Sequence, residues 1–428
     1  MNTPRLNSRE IFVAETGSKD IAEQYMVYAP FAGVFLQVSE QDVSRLENAE
    51  KYPDDGELQQ VIESLTDWSE KKLFKIETLS DMTELSINLN QICNFSCSYC
   101  YSAKGRSNKV IDQKTLFSAL SFFIDRKRTE ENNLQLTFSG GGDPLMSFSL
   151  LKEAIEYSER LSRAHGFSIG YSIVTNGTLF HPDFIDLVRR YDVNVVVSFD
   201  VLEEVHHSQR GKYKEVCDGI NYLIENGIYP GIRSTITALN VHRMEEMTLE
   251  MISKFPSLSG IAYEPVLKPS LFQDISDLEK FYDSFATHYL KAANLGFQHN
   301  FSVGNTIINS TEICKERACL GKFTLTPDGN ITACSRICSS EEDFYERFHY
   351  GTVLENGDVV IDAGKLERIM QNNVYTYTEC NACIAKWHCS GGCMLARFSY
   401  HQEYFNYHCN FIRKMTIMSL LNQKIEKI

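Results

Sequence analysis

The stretch LSINLNQICNFSCSYC, residues 85–100, decides the fold. Its first six residues, LSINLN, alternate apolar and polar side chains and are a strand candidate. The loop that follows carries Cys93, Cys97 and Cys100 with CxxxCxxC spacing. Three thiolates this close can hold three irons of a cubane and leave the fourth iron open to an exchangeable ligand, whereas four thiolates close a cluster.

The chain beyond this loop alternates strand candidates with helix-like segments. The further strand candidates are LQLTF, FSIGYSIVT, VNVVVSFD, GIRSTIT and SGIAYEPV, and the helix-like segments between them include residues 113–126, 150–164 and 214–225. This alternation predicts right-handed βαβ units and a parallel sheet, here an open or partial α/β barrel of six units. Ligands are expected where the loops converge, at the C-terminal ends of the strands.

The cysteine loop, with the aromatic Tyr99 before its last cysteine, resembles the signature of the radical SAM superfamily. The resemblance implies a partial (β/α)6 barrel and a [4Fe–4S] cluster. It also implies that the amine and carboxylate of S-adenosylmethionine (SAM) chelate the open iron. The alternative is a zinc site, which would need a fourth ligand near the loop.

The segment after the second strand candidate, Phe138-Ser-Gly-Gly-Gly-Asp-Pro144, resembles the Gly-Gly-Glu-Pro element of the same superfamily. There, backbone groups meet the SAM amine, and glycine permits the close approach. The resemblance assigns Gly140, Gly141, Gly142 and Asp143 to SAM binding. This sequence departs from the family pattern in having Asp143 for glutamate and a third glycine.

Polar residues at the ends of the later strands also resemble SAM-facing or substrate-facing elements of the family. Asn176 lies in Thr-Asn-Gly-Thr after strand three, and Ser198 precedes Phe199 and Asp200 at the end of strand four. Arg210 matches an arginine that such enzymes place on the SAM carboxylate. Arg233 on strand five is a second cationic candidate.

Most of the thirteen cysteines lie downstream of the barrel pattern. In a reducing compartment, clustered cysteines favour metal ligation over disulfides. Their spacing resembles the SPASM extension of radical SAM enzymes that modify peptides. The resemblance implies two auxiliary [4Fe–4S] clusters, and so three clusters in all. The first would be held by Cys314, Cys319, Cys334 and Cys393, and the second by Cys380, Cys383, Cys389 and Cys409.

Several points in this assignment stay open. A zinc ribbon is the alternative for the CxxC pair. Cys314 is the weakest ligand assignment, and Cys338, four residues after Cys334, could compete for that cluster or serve as a free thiol. Cys217 lies in an amphipathic stretch and is expected to be a small core residue.

We expect three segments along the chain. Residues 1–80 form a small α+β element, with a β-like stretch over 25–38 and helix-like runs over 39–46 and 57–65. Residues 81–304 form the barrel, and residues 305–428 form the cysteine-rich SPASM domain, which ends in a helix-like tail over 411–425. The N-terminal element either binds a leader peptide by edge-strand addition or covers the open side of the barrel.

The formal charge of −14 argues against a nucleic-acid partner, because phosphate binding requires an excess of lysine and arginine. No run of residues is apolar enough to span a bilayer, and the polar N-terminus lacks the apolar core of a secretory signal. We therefore expect a cytoplasmic protein without a membrane partner.

The resemblance implies reductive cleavage of SAM to a 5′-deoxyadenosyl radical, which removes hydrogen from a precursor peptide or protein. Crosslinking of a ribosomally made peptide is the first reading, and formylglycine formation, as in anaerobic sulfatase maturases, is the second. A non-catalytic iron–sulfur electron carrier is the third. Asp200 and Asp328 are the candidate bases, and a flavodoxin or ferredoxin is the expected electron donor.

Overall fold

A computed structural model describes residues 10–69, 73–319 and 321–426 of the chain. It begins with an antiparallel sheet of order β1-β2-β3. Its strands are β1 (Phe12–Glu15), β2 (Tyr25–Ala29) and β3 (Val34–Val38). The β-like stretch over residues 25–38 is thus a hairpin, and β1 is a strand that the sequence analysis did not predict.

The two helices predicted for this segment are present as α1 (Glu40–Glu47) and α2 (Gly56–Thr66). Both pack on one face of the sheet. A capping box between Ser39 and Asp42 begins α1. Because successive side chains of a strand point to opposite faces, β2 serves two cores. Val27 packs with the helices, whereas Tyr28 packs with residues near the C-terminus, including Trp387.

The rest of the chain forms a mixed α/β structure. The remaining strands are β4 (Leu73–Phe74), β5 (Glu84–Ile87), β6 (Asn133–Phe138), β7 (Ser168–Thr175), β8 (Asn194–Ser198), β9 (Gly231–Ile236), β10 (Gly260–Pro265), β11 (Ser302–Gly304), β12 (Cys314–Lys315), β13 (Phe323–Leu325), β14 (Asn330–Thr332), β15 (His349–Val353) and β16 (Val359–Ile361). The remaining helices are α3 (Gln113–Phe123), α4 (Phe148–His165), α5 (Pro182–Tyr191), α6 (Glu203–Gln209), α7 (Tyr213–Glu225), α8 (Met244–Lys254), α9 (Ile275–Gln298), α10 (Thr306–Ser310), α11 (Tyr345–Phe348), α12 (Ala363–Met370), α13 (Lys386–Cys389), α14 (Met394–Ser399) and α15 (Gln402–Glu426).

The six strands predicted for the barrel are present as β5 to β10, in sequential order and all parallel. Helices α3 to α8 occupy the connections between them. The parallel sheet is that of a partial barrel, and the α/β prediction is confirmed. Since parallel strands end at one edge, the loops after β5, β6, β7 and β8 lie together there.

The sheet continues past the barrel in a way that the sequence analysis did not predict. β13 pairs in parallel with β5, in the register Phe323↔Leu85, and β14, β15 and β16 extend the sheet antiparallel. The result is one sheet of eleven strands. Phe323, Leu325 and Tyr350 are fully buried in the same core as the barrel strands. The cysteine-rich segment therefore shares the barrel's core.

The last helix, α15, begins at Gln402, earlier than the predicted tail over 411–425. Its side chains pack on α9, where the rings of Tyr282 and Phe411 stack at 4.4 Å. In the described part of the chain, none of the helices combines the length and the apolar character that a bilayer crossing demands.

Candidate functional site

The three-cysteine loop follows β5 and is held by backbone contacts to a neighbouring connection. Ser98 N–H donates to the Gln209 carbonyl over 2.9 Å, and Cys100 N–H donates to the Cys97 carbonyl over 3.1 Å. The three thiols are half-buried. Cys97 interacts electrostatically with both Cys93 and Cys100, so the three sulfurs share one site.

Two arginines bring positive charge to these thiols. Burial raises the pKa of the Cys97 thiol, and the charge of Arg210 opposes that rise. Arg106 donates to Cys100 Sγ over 3.4 Å and to the Phe95 carbonyl over 2.8 Å. Because iron binding requires thiolates, cations at this position favour the ligating form. Arg106 is a site residue that the sequence analysis missed, although it lies only six residues after Cys100.

The glycine loop after β6 packs against the backbone that leads into the cysteine loop. Gly142 N–H donates to the Asn90 carbonyl over 2.8 Å, and Asp143 N–H donates to the Ile92 carbonyl over 2.9 Å. A Cβ on Gly142 would lie 1.9 Å from the Ile92 carbonyl oxygen. Gly140 and Gly141 have φ of +86° and +63°, which glycine adopts readily. The third glycine is therefore explained by backbone packing beside Cys93.

The Asp143 side chain points towards the end of β7. One carboxylate oxygen accepts from Asn176 N–H at 2.7 Å and from Thr175 Oγ1 at 2.9 Å, and the other accepts from Leu145 N–H at 3.0 Å. Burial raises the pKa of Asp143, and these donors counteract the rise. In this arrangement Asp143 fastens the glycine loop to the next strand end.

Asn176 lies beside the cysteine loop. Its Nδ2 donates to Asn94 Oδ1 over 2.8 Å and is 4.0 Å from Cys93 Sγ. Its Oδ1 accepts from the Thr178 hydroxyl over 2.7 Å. The ends of β5, β6 and β7 are thus connected by polar contacts around Cys93.

Tyr99, Asp200 and Arg210 form a buried group next to Cys97. The Tyr99 hydroxyl donates to Asp200 Oδ2 over 2.7 Å, and Arg210 Nη1 donates to the same hydroxyl over 2.7 Å. Gln209 Nε2 and Thr235 N–H also donate to Asp200, which is fully buried. Asp200 is therefore enclosed by donors, and it balances the charge of Arg210.

The other two strand-end residues occupy more open positions. Ser198 ends β8 and is in register with Arg233 of β9. The Arg233 side chain is half exposed and lies 4.0 Å from Glu264 Oε1. It lines a cavity together with Cys319, Cys389 and Cys393. Arg233 thus faces the auxiliary cysteines.

Asp328, the other candidate base, lies in the turn between β13 and β14. Its carboxylate pairs with Lys109, and the side chain is 18% exposed. Asp200 is instead enclosed by the donors of Tyr99, Gln209 and Thr235. The two candidate bases therefore have different partners and do not form one group.

Seven of the downstream cysteines form two groups. Cys389 interacts electrostatically with Cys380, Cys383 and Cys409, the four residues that the resemblance assigns to the second auxiliary cluster. Arg413 Nε donates to Cys383 Sγ over 3.4 Å, and Arg397 Nη2 is 4.0 Å from Cys380 Sγ. Arg413 and Arg397 place positive charge beside these thiols, as Arg106 does beside Cys100.

The second group contains Cys319, Cys334 and Cys393. Burial and the neighbouring thiols raise the pKa of Cys319 to about 12 and that of Cys334 to about 11. Cys314, the fourth assigned ligand, contacts the N-terminal sheet. Its Sγ is 3.6 Å from the Pro30 carbonyl, and it packs with Tyr28 and other residues of the N-terminal sheet.

Cys338 joins the glycine loop to the segment that carries Cys334. Its Sγ accepts from Gly141 N–H over 3.2 Å, and its carbonyl accepts from Gln91 Nε2 over 3.2 Å. The residue is 1% exposed. Cys217 is buried in the barrel core, where the sequence analysis expected it.

These groupings fit iron–sulfur ligation through the chemistry of their donors. Each group places several thiols within electrostatic reach of one another, and two of the three have an arginine donating to a sulfur. Among residues 10–69, 73–319 and 321–426, no three Cys, His, Asp or Glu side chains converge as the ligands of one metal ion do.

Residues 87–252 match the family model of the radical SAM superfamily. These residues form a radical SAM domain. The range begins within β5, ends within α8, and contains the cysteine loop, the glycine loop and the ends of β7 and β8. The superfamily implies a [4Fe–4S] cluster with SAM, and the matched range contains Cys93, Cys97 and Cys100.

The chain also resembles proteins that extend beyond the radical SAM domain. It is 22% identical over 361 residues to the radical SAM cyclopropyl synthase TigE of Paramaledivibacter caminithermalis, covering 78% of this chain and 73% of that protein. It is 20% identical over 333 residues to the cysteine-type anaerobic sulfatase-maturating enzyme of Clostridium novyi, covering 70% and 84%.

A solved structure, native anSMEcpe with bound AdoMet and Kp18Cys peptide, has the same fold. Its TM-score is 0.62 at 16% identity, over 79% of this chain and 98% of that chain. The radical SAM domain is therefore embedded in a chain whose relatives are SPASM-type maturases.

Proposed function

We propose that this chain cleaves SAM reductively and uses the resulting radical to crosslink a ribosomally made peptide. The observation that carries the proposal is a cleft lined by Cys100 of the radical SAM loop and by Cys393 of the downstream group. Relatives named as maturases, and a peptide bound in a protein of the same fold, support a peptide as the occupant.

The first site has the groups that this chemistry requires. A [4Fe–4S] cluster with SAM bound supplies the electron that splits SAM into methionine and a 5′-deoxyadenosyl radical. Cys93, Cys97 and Cys100 would hold the cluster, and the backbone of the glycine loop would orient the SAM amine. Arg210, partly buried and hydrogen-bonded to the Tyr99 hydroxyl, would meet the carboxylate. Burial of these groups excludes water from the reacting atoms.

We further propose three [4Fe–4S] clusters. Cys380, Cys383, Cys389 and Cys409 would hold one auxiliary cluster, and Cys319, Cys334 and Cys393 the other. Cys314 is the proposed fourth ligand of the set that contains Cys319. Because its Sγ lies against the Pro30 carbonyl, this assignment is the least supported of the eight. A flavodoxin or ferredoxin would deliver electrons, and the acidic charge of −14 favours neither nucleic acid nor an anionic membrane as partner.

The division of the chain into residues 1–80, 81–304 and 305–428 also stays a proposal, as does a cytoplasmic location. We propose that residues 1–80 bind the leader of the peptide, because strands at the edge of a sheet can accept a further strand. In the three-stranded sheet, β1 and β3 are the two edges.

The relative from Clostridium novyi favours a second candidate, formylglycine formation on a sulfatase cysteine. The two reactions differ in product. A crosslink removes two hydrogens and joins two residues, whereas formylglycine replaces the thiol of one cysteine with an aldehyde oxygen.

The test is anaerobic reconstitution of the full chain, followed by addition of dithionite, SAM and a panel of candidate precursor peptides. We expect about twelve irons per chain for three cubanes, release of 5′-deoxyadenosine, and a peptide that has lost two hydrogens. A peptide aldehyde would favour the second candidate. Zinc instead of iron, or a fully loaded protein that yields no 5′-deoxyadenosine, would refute the proposal and favour a metal scaffold or an electron carrier.

The matched control replaces Cys93, Cys97 and Cys100 by alanine. This variant is expected to lose SAM cleavage and to retain about two clusters of iron. Cleavage that survives the triple replacement would contradict the assignment of these thiols.

A further inference from the structure

One carboxyl group in the cleft has an unsatisfied oxygen. Glu342 lines the cleft between Cys100 and Cys393 and is 7% exposed. Its Oε2 accepts from Cys338 N–H over 2.7 Å, whereas its Oε1 has no hydrogen-bond partner among the described residues. A buried polar atom without a partner is unfavourable, so its presence in a folded protein calls for an explanation such as a functional role.

The position of this carboxyl is fixed from several sides. Cys338, which holds Oε2, is itself held by Gly141 of the glycine loop and by Gln91. On the other side, a Cβ on Gly105 would lie 3.1 Å from Oε1. Gly105 belongs to the loop that follows Cys100. The unsatisfied oxygen therefore lies between this loop and the segment that carries Cys338.

The charges around Glu342 leave it able to gain or lose a proton near neutral pH. Burial raises its pKa to about 7, and donation from the Cys338 and Ser339 backbone, together with Lys104, opposes the rise. Lys104 forms an ion pair with Asp343 at 2.6 Å, so the Asp343 carboxylate offsets part of the positive charge of Lys104. The remaining charged groups on the cleft are Lys268 and Arg336.

We propose that Glu342 is the proton acceptor for the peptide group that forms the new bond in this cleft. The inference rests on the proposed function. After hydrogen abstraction the peptide carries a carbon radical beside a second group, X–H. The C–X bond forms, the X–H proton passes to Glu342 Oε1, and one electron passes to an iron–sulfur acceptor. One hydrogen atom and one proton account for the two hydrogens lost.

The test compares Glu342→Gln with the matched control Glu341→Gln in the reconstituted full chain, because Glu341 is exposed and does not line the cleft. Glutamine keeps an oxygen for the Cys338 N–H but cannot accept a proton. With a peptide deuterated at the abstracted position, the Gln variant should form crosslink about 10²- to 10⁴-fold more slowly, while 5′-deoxyadenosine still takes up deuterium. The Glu341→Gln variant should match the parent in both. Equal crosslinking rates in the parent and the Gln variant would overturn the proposal.

A second measurement does not depend on the peptide. In the infrared spectrum of the reconstituted parent, a protonated carboxyl band should disappear with a midpoint near the pKa of about 7, and Glu342→Gln should lack this band. A parent without such a band would also overturn the proposal. Failure of the proposed function would appear separately, as a parent that yields no 5′-deoxyadenosine.

Discussion

Replacing Gly142 by alanine tests the idea that the glycine loop is shaped by its contact with the cysteine loop. A Cβ at this position would lie 1.9 Å from the Ile92 carbonyl oxygen and 2.2 Å from Asn90 Oδ1. Ordinary van der Waals contact begins near 3.4 Å, so the first separation is about 1.5 Å too short. Because the obstructing oxygen belongs to the backbone, no side-chain rotation can relieve the clash.

The loop must therefore move, and two effects should follow. Overpacking of this kind destabilises proteins by about 1–3 kcal/mol and occasionally by more, and a backbone clash belongs at the upper end. The movement would also break the hydrogen bonds of Gly142 and Asp143 to the backbone before Cys93. A misplacement of about 1 Å can slow a reaction by about 100-fold. We expect that loss in 5′-deoxyadenosine formation.

The assay is denaturant unfolding of the iron-loaded protein, together with SAM binding by calorimetry and 5′-deoxyadenosine release. The matched control is Gly231→Ala in β9, where a Cβ would meet its neighbours at 3.7 Å and 3.9 Å. That variant should behave as the parent. If Gly142→Ala matches Gly231→Ala in stability and SAM affinity, the close approach of the two loops is wrong.

Further predictions concern buried charges and thiols. Arg210→Ala should destabilise the protein by about 3–5 kcal/mol, because a buried carboxylate loses its counter-charge, and it should weaken SAM binding measured by calorimetry. Asp143→Asn should lower the free energy of unfolding by about 1–3 kcal/mol, since an amide nitrogen would face groups that now donate to an acceptor; urea denaturation measures the loss. Replacing Cys383 and Cys389 by alanine should lower both the iron content and the melting temperature, and unchanged melting would count against a structural metal. The raised pKa of Glu342, about 7 against an ordinary 4.5, means that the folded state binds this proton more tightly. Stability from this group should therefore be full below pH 4.5 and fall by about 3 kcal/mol as the pH rises through 7, and Glu342→Gln should lack that slope in unfolding measured across pH.

The barrel could be predicted from the sequence because its strands are long and buried. β7, for example, runs over eight residues from Ser168 to Thr175. Such strands, bounded by helices, leave a pattern that short windows detect. β13 and β14 have three residues each and leave no comparable pattern. β13 pairs with β5, which lies more than two hundred residues away, and β14 pairs in turn with β13.

The candidate site divides in the same way. Cys93, Cys97 and Cys100 lie close in sequence, so their spacing alone predicts a shared site. Cys338 and Gly141 are 197 residues apart, and their contact follows only from the packing of the C-terminal segment against the barrel. Local pattern therefore predicts the ligand loops, whereas tertiary packing decides how they are held.

The position of Cys314 shows the limit of spacing as evidence. Spacing and resemblance place it with Cys319, but β12 begins at Cys314 and pairs with β4. This pairing directs its thiol towards the N-terminal sheet, where its Sγ lies near the Pro30 carbonyl. A five-residue separation allows both arrangements, so spacing alone does not decide between them, and the assignment of Cys314 stays a prediction.

The contact between Cys338 and Gly141 also bears on how the two halves of the site work together. The glycine loop is fixed on one side by Asn90 and Ile92, which lead into the cysteine loop, and on the other by the Cys338 thiol. The same cysteine holds Glu342 through its backbone N–H. A shift of the glycine loop on SAM binding would therefore be passed to the Glu342 carboxyl. If Glu342 is the proton acceptor that we propose, SAM binding and the position of this acceptor would be coupled through Cys338.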